Sequence, residues 1–268
     1  VAESFIDYNI SIDFYLLSKN KGFFYNYIKV LNLNITWLQL TSKLSYPRIT
    51  LELFKLFKNH NYDVVHCHFL DANICGLVAA YLCRIPKRIY TRHHSTFHHH
   101  YASKGVCLDK LSNFLSTYVI AITQVVKNVL IEKEGVNPEK VKIIHHGFDF
   151  SKITRISEQR VKNVSTKYQL EGKFIIGVVS RFIEWKGVQF IIPAFREILK
   201  IKGECILVLA NARGGDSKKI ENLLSHLPSE SYRKIPFEND IYALFKNFDL
   251  FIHTPVDSDV EAFGQIYI

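Results

Sequence analysis

Eight short runs punctuate this 268-residue chain, and many of them are apolar throughout instead of alternating apolar with polar. They are Ile10–Leu17, Asp63–Phe69, Arg88–Thr91, Tyr118–Thr123, Val141–His145, Phe174–Ser180, Cys205–Ala210 and Leu250–Thr254. A strand that is apolar on both faces has to be covered on both faces, which is the situation of a parallel sheet clothed by helices. Amphipathic segments lie between the runs. In Val188–Lys200, for example, Val188, Ile191, Phe195, Ile198 and Leu199 fall on one helical face. Strand–helix alternation of this kind predicts an α/β architecture.

A hydrophobic content of 48% supplies cores for one large or two medium domains. The stretch Phe150–Gly172 is polar, charged and weakly patterned, and it separates two strand-rich blocks. A boundary is therefore expected inside it, giving two Rossmann-like domains, 1–160 and 161–268, that face each other across a cleft. Ligands in such sheets bind at the carboxyl ends of the strands. The apolar runs are too short to span a bilayer. The chain begins at Val1 and contains no Met, which predicts a processed or truncated start, and no signal peptide is visible. Five scattered cysteines without a CxxC pair read as buried thiols in a reducing cytoplasm. A net charge of +9 favours anionic partners such as phosphates, acidic lipid headgroups or nucleic acid.

Two stretches could carry chemistry. In Val179-Ser-Arg-Phe-Ile-Glu-Trp-Lys-Gly-Val188 a buried strand ends, and a loop with Arg181 and Lys186 leads through Gly187 into a helix. Two cations beside a helix N-terminus suit an anion, because the dipole and the free N–H groups favour negative charge. The alternative is a pair of solvated loop cations. In Thr254-Pro-Val-Asp-Ser-Asp-Val-Glu-Ala-Phe-Gly-Gln-Ile a strand leads through an acidic loop to a helix expected near Phe263 and Gly264. Glu261 could accept hydrogen bonds from sugar hydroxyls, and Gly264 permits close backbone approach. The alternative is ordinary helix capping.

Together these stretches resemble the GT-B retaining glycosyltransferases of family 4 (glycosyl transferases group 1). "SRFIEWKGVQFIIPAF" is similar to that family's "SR…KG…LI.AF" pattern, and "EAFGQIYI" to its E-G-F-G segment, with Ala262 in place of the usual Gly. "YDVVHCHF" resembles the "DVVHAH" strand. "IYTRHHST" resembles the "TxH" strand end and places His93 at the family's histidine. The segment ending "KVKIIHHGFD" resembles "KVxVIxNGVD", with His146 for Asn but Gly147 and Asp149 kept. The resemblance runs from about Asp63 to Ile268. It implies that the first strand and its glycine-rich loop are missing. It also implies that the family's second Glu would fall just after Ile268, so that this piece alone is not expected to turn over.

The resemblance further implies transfer of a sugar from a nucleoside diphosphate sugar, with retention, to a glycan or lipid-linked acceptor in cell-surface polysaccharide or glycolipid synthesis. His93, Arg181, Lys186 and Glu261 would be the catalytic residues. Arg181, Lys186, Gly187, Glu261, Phe263, Gly264 and Gln265 would bind the donor, with the N–H groups near Phe263–Gln265 and the two cations stabilising charge on the β-phosphate. No cofactor and no metal is expected. Asp257-Ser-Asp259 spells a D-x-D but reads as a solvated acidic turn. The "ANARGGD" loop after Cys205–Ala210 departs from the family's GxG, so the base cannot be read from it.

Twelve histidines raise a metal hypothesis. His66 and His68 are read as pointing to opposite faces of their strand. His93, His94, His98, His99 and His100 cluster near a loop and are expected to line the cleft near the acceptor, since no Cys or carboxylate completes a ligand spacing. Phe14–Lys58 is aromatic and basic, with Phe23, Phe24, Tyr25, Tyr27 and Trp37 among seven Lys or Arg and a single acid, Glu52. It reads either as a surface for an anionic membrane, which would place the protein on the inner face of the cytoplasmic membrane, or as core aromatics beside a solvated face. Rival functions are a non-catalytic nucleotide-sugar sensor, a GT-B nucleotide-sugar epimerase and a nucleic-acid binder, the last without any module pattern.

Overall fold

The computed structural model describes residues 10–150, 154–256, 260–264 and 266. The chain divides into two compact units between His145 and His146.

In the first unit β1 (Asp13–Ser18) and β2 (Asn34–Gln39) form a parallel pair. A four-stranded parallel sheet follows in chain order: β3 (Val64–His68), β4 (Lys87–Arg92), β5 (Tyr118–Ala121) and β6 (Val141–Ile143). Helix Tyr46–His60 turns Ile49, Leu53 and Phe57 inward at four-residue spacing, onto Cys75, Ala79 and Ala80 of helix Leu70–Leu82.

The second unit has one parallel sheet in the order β10-β7-β8-β9, with β7 Phe174–Val179, β8 Cys205–Ala210, β9 Tyr232–Ile235 and β10 Leu250–Phe251. Side chains along β7 and β8 alternate between two cores. Ile176, Val178, Leu207 and Leu209 meet helices Val188–Ile201 and Ser217–Leu224. Ile175, Val179, Ile206 and Val208 meet Val164 of helix Glu158–Tyr168 and Ala243 and Leu244 of helix Ile241–Phe245. Both faces are therefore covered, which is why these strands are continuously apolar.

All eight expected runs contain strands, some of them shorter. Tyr118–Thr123 ends at Ala121 because the Thr123 side chain instead accepts from the Val126 N–H and caps the next helix. The strands β2 and β9 were not anticipated. β2 alternates exposed with half-buried positions as far as Trp37 inside the basic aromatic stretch before burying Leu38, and β9 is a short edge strand carrying Arg233 and Lys234. The polar stretch Phe150–Gly172, where the boundary was expected, holds helix Glu158–Tyr168, which belongs to the second unit. Its few apolar residues suffice to dock it. Val164 is buried, Asn247 donates to the Val161 carbonyl at 3.1 Å, and Arg160 pairs with Asp240 at 2.6 Å.

All five cysteines are free, but only Cys67, Cys75 and Cys205 are buried, and Cys107 is exposed at the surface of its helix. Among the described residues no helix is long and apolar enough to cross a membrane.

Candidate functional site

The sheet of the second unit reverses its order beside β7. The chain runs from β7 out to β8 and β9, then returns to place β10 on the other flank of β7. Loops at the carboxyl ends of β7 and β10 consequently diverge from adjacent strands, which is where ligands bind in open parallel sheets. Both motifs singled out in the sequence sit on these two loops.

Strand β7 ends at Val179, and the exposed Arg181 follows. A single 3₁₀ turn, Glu184–Lys186, brings the chain to Gly187 at φ 71°, and helix Val188–Ile201 starts there. The loop after β10 lies against this turn, with the Val256 N–H donating to the Trp185 carbonyl at 3.0 Å. On its other side the turn is held by the loop after β8. The Phe182 N–H donates to the Arg213 carbonyl at 2.9 Å, and a Cβ on Gly214 would sit 2.2 Å from the Phe182 carbonyl oxygen. The glycine of "ANARGGD" thus serves a close backbone contact.

Across the two loops Lys186 Nζ donates to Glu261 Oε2, 75 residues away in sequence. Both side chains are mostly buried. Burial pushes the His253 imidazole below its usual value, the Lys186 charge lowers it further, and Glu261 partly offsets this. The arrangement brings a held ammonium, a carboxylate and a neutral imidazole together, and the exposed Arg181 lies on the same loop after β7. Phe263 stacks on Phe148 at 5.9 Å and meets His146 edge-on at 5.4 Å. Phe263 and Gly264, near which a helix start was expected, themselves lie in loop, and Ile266 just beyond them is in a 3₁₀ turn; Gln265, Asp257, Ser258 and Asp259 fall outside the described residues.

His93 belongs to the first unit, just beyond the carboxyl end of β4. Its Nε2 is 3.0 Å from His68 Nδ1, and its ring stacks on Phe69 at 4.8 Å. The expectation that His66 and His68 face opposite ways is overturned, because their rings are 4.4 Å apart. Residues two apart on a strand share a face. His66 Nε2 lies 2.8 Å from the Thr91 hydroxyl, and burial, then the neighbouring His68 and His93, push its pKa down to about 4.

Two of the remaining histidines do not line an open surface. They serve a buried ionic network that sequence reasoning missed. Arg92 pairs with Asp109 at 2.9 Å and with Glu134 at 2.6 Å, all three essentially buried. His98 Nδ1 lies 2.5 Å from Asp109, and His99 Nε2 lies 3.2 Å from Glu134. Asn113 donates to Glu134 at 2.7 Å and accepts from the Tyr90 hydroxyl. Ligand atoms of His94, His98 and Asp109 lie within 4.8 Å of one another, so Asp109 is the carboxylate that the sequence spacing did not supply. Both its oxygens are already engaged, one by Arg92 and one by His98. Burial raises the Asp109 carboxyl, but hydrogen bonding from His94 and the Arg92 charge outweigh it and hold the group ionised. The available signal was Arg92 itself, a charge at the carboxyl end of β4 where the strand runs into the interior.

The sequence profile of Glycosyltransferase Family 4 matches residues 14–152, and that of Glycosyl transferases group 1 matches residues 161–267. The chain belongs to glycosyltransferase family 4. This family 4 chain is 29% identical over 218 residues to an uncharacterized glycosyltransferase of Methanocaldococcus jannaschii, covering 75% of this chain and 53% of that protein. It is 24% identical over 227 residues to the capsular polysaccharide biosynthesis glycosyltransferase CapM of Staphylococcus aureus, covering 81% of this chain and 58% of that protein. It spans about half the length of the curated relatives it matches. Among solved structures, Anabaena HepE in complex with UDP and glucose superposes with a TM-score of 0.78 at 20% identity, covering 94% of this chain and 68% of that one. That likeness gives the family 4 chain the GT-B pair of α/β units expected from its sequence.

Proposed function

We propose that the protein to which this chain belongs transfers a sugar from a nucleoside diphosphate sugar, with retention, to a glycan or lipid-linked acceptor in polysaccharide or glycolipid assembly. The observation that carries the reading is the Lys186–Glu261 pair at the strand-order reversal. An ammonium and a carboxylate, held together at the carboxyl ends of adjacent parallel strands, offer complementary groups to a phosphate and to sugar hydroxyls. Arg181 and Lys186 neutralise the charge that grows on the leaving diphosphate, which is the role a metal ion plays elsewhere. Gly187 lets the backbone come close, and Phe263, Gly264 and Gln265 complete the donor loop. His93 contacts the donor sugar. The names of CapM and of the UDP-bound HepE support a nucleotide-sugar donor and a polysaccharide product. Family membership favours transfer over epimerisation.

The acceptor side faces an anionic membrane in this reading. Phe23 and Leu44 are 85% and 93% exposed, and they lie among Lys19, Lys21, Lys29 and Lys43. Full-length protein that ignored anionic vesicles at low salt would remove the membrane from the proposal.

The deciding experiment is a thermal-shift titration of the full-length protein with UDP, GDP, ADP and their sugars. A ligand that binds only the folded state raises the midpoint by mass action. A shift with one nucleotide, lost in Lys186→Ala, is the expected result and names the base. No shift with any of them sinks the transferase reading.

A further inference from the structure

We propose that His68 is a positioning residue for His93, fixing which nitrogen of that ring carries its proton, while Phe69 fixes the plane of the ring. The catalytic meaning of this device rests on the reading of His93 as a donor-sugar contact, but the device itself can be tested without it.

The geometry follows from strand register. β3 and β4 are neighbours, and His68 pairs with Thr91, so His68 stands at the carboxyl end of its strand beside the start of the loop that carries His93. The two imidazoles meet nitrogen to nitrogen at 3.0 Å. A neutral imidazole has one N–H and one lone pair. A hydrogen bond between two of them needs one of each, so their tautomers are coupled. A proton on His93 Nε2 requires a lone pair on His68 Nδ1 and leaves His93 Nδ1 as an acceptor. A proton on His68 Nδ1 requires the reverse and makes His93 Nδ1 a donor. Either way, the character of the second His93 nitrogen is set by His68. That character decides whether the ring accepts from a sugar hydroxyl or donates to one.

The neighbours hold this pair in place. His66 lies 4.4 Å behind His68 and is anchored 2.8 Å from the Thr91 hydroxyl. Phe69 has φ 68° and ψ 158°, a region that a residue with a side chain occupies only under strain. Its side chain is 68% exposed, so burial does not offset that strain. The strained backbone directs its ring onto the face of His93, at 4.8 Å and 24° between planes. Strain of this kind persists where surroundings determine a functional geometry.

The test is the tautomeric state of His93 in the 268-residue chain labelled with ¹⁵N-histidine, with His93 resonances assigned by their loss in His93→Gln. Two-bond proton–nitrogen spectra separate a protonated ring nitrogen from one with a lone pair. The wild type should show one of each at His93. In His68→Ala the two nitrogens should move toward averaged positions. In His68→Asp, whose carboxylate only accepts, the proton should settle on His93 Nε2. Unchanged His93 nitrogen shifts in His68→Ala would overturn the proposal, and so would unchanged shifts in His68→Asp. The donor-site reading is tested separately by nucleotide-sugar binding of full-length His93→Ala. If that binding is unaffected while the tautomer still depends on His68, the positioning survives and the role given to His93 fails. In the full-length enzyme, compared at equal concentration of folded protein, His68→Ala should lower kcat more than it raises KM for the donor.

Discussion

Gly187 and Thr254 touch backbone to backbone: a Cβ added to Gly187 would stand 1.9 Å from the Thr254 carbonyl oxygen. The contact joins the loop after β7 to the loop after β10, the two strands flanking the reversal of order. It sets the distance across which Lys186 reaches Glu261.

Gly187→Ala is therefore expected to do two things. The residue has φ 71°, and Ala at positive φ is strained. The new methyl also meets main chain, which cannot rotate aside, so the loops must part. A loss of more than about 1 kcal/mol in urea unfolding is expected. Nucleotide-induced stabilisation should disappear even at temperatures where the variant is folded. Wild-type stability in this variant would show that the two loops are not held in contact.

Lys186 and Glu261 should be coupled. A double-mutant cycle on stability with Lys186→Ala and Glu261→Ala is expected to give an interaction of about 0.5–3 kcal/mol. Binding should separate their roles. Lys186→Ala loses affinity for nucleoside diphosphate and nucleotide sugar alike, whereas Glu261→Gln keeps the nucleotide and loses the extra affinity contributed by the sugar. Calorimetric titration of the full-length variants distinguishes the two. Equal loss of both ligands in Glu261→Gln would mean that this carboxylate only orients Lys186.

These loops mark how far the sequence could be read. The apolar runs at β7 and β8 reported parallel strands directly, because these strands, covered on both faces, have no polar positions. The Arg181–Lys186 spacing and the Glu261 segment were legible as local motifs. Their meeting was not, since it depends on β10 returning to the flank of β7, and pairing order leaves no local signature. The Arg92 network was hidden for the same reason. Asp109 and Glu134 look like ordinary helix-surface acids until the fold buries them. Strand β9 was hidden by its composition, because a four-residue edge strand with Arg233 and Lys234 at its centre carries no apolar run.

Acid should weaken the chain through His66. Its folded pKa is about 4, against an ordinary 6.5, so the unfolded state takes up the proton first as pH falls. Stability is then fully present above about pH 6.5 and declines between there and about pH 4, by less than a fully buried group would give, because His66 lies at an exposed position of β3 where solvent screens it. Below the folded value both states are protonated and the decline stops. His94 and His253, whose pKa values are also lowered, add in the same direction. Urea midpoints measured from pH 8 to 4 should fall less steeply in His66→Gln than in the wild type. Parallel curves would mean that His66 titrates alike in the folded and unfolded chain.

Arg92 is 2% exposed and serves two buried carboxylates at once. Arg92→Met would strand both, and breaking a buried pair from one side costs about 3–5 kcal/mol. Arg92→Lys should restore little, because a single ammonium cannot present the planar fork that reaches Asp109 and Glu134 together. The penalty should also depend on pH. With Arg92 gone, the buried Asp109 loses a charge that holds its carboxyl ionised and can take up a proton as pH falls. The stability gap between wild type and Arg92→Met is then largest near pH 7 and narrows toward pH 4. Urea unfolding at the two pH values measures it. A gap that stays constant with pH would show that Arg92 contributes through packing of its side chain and not through its charge.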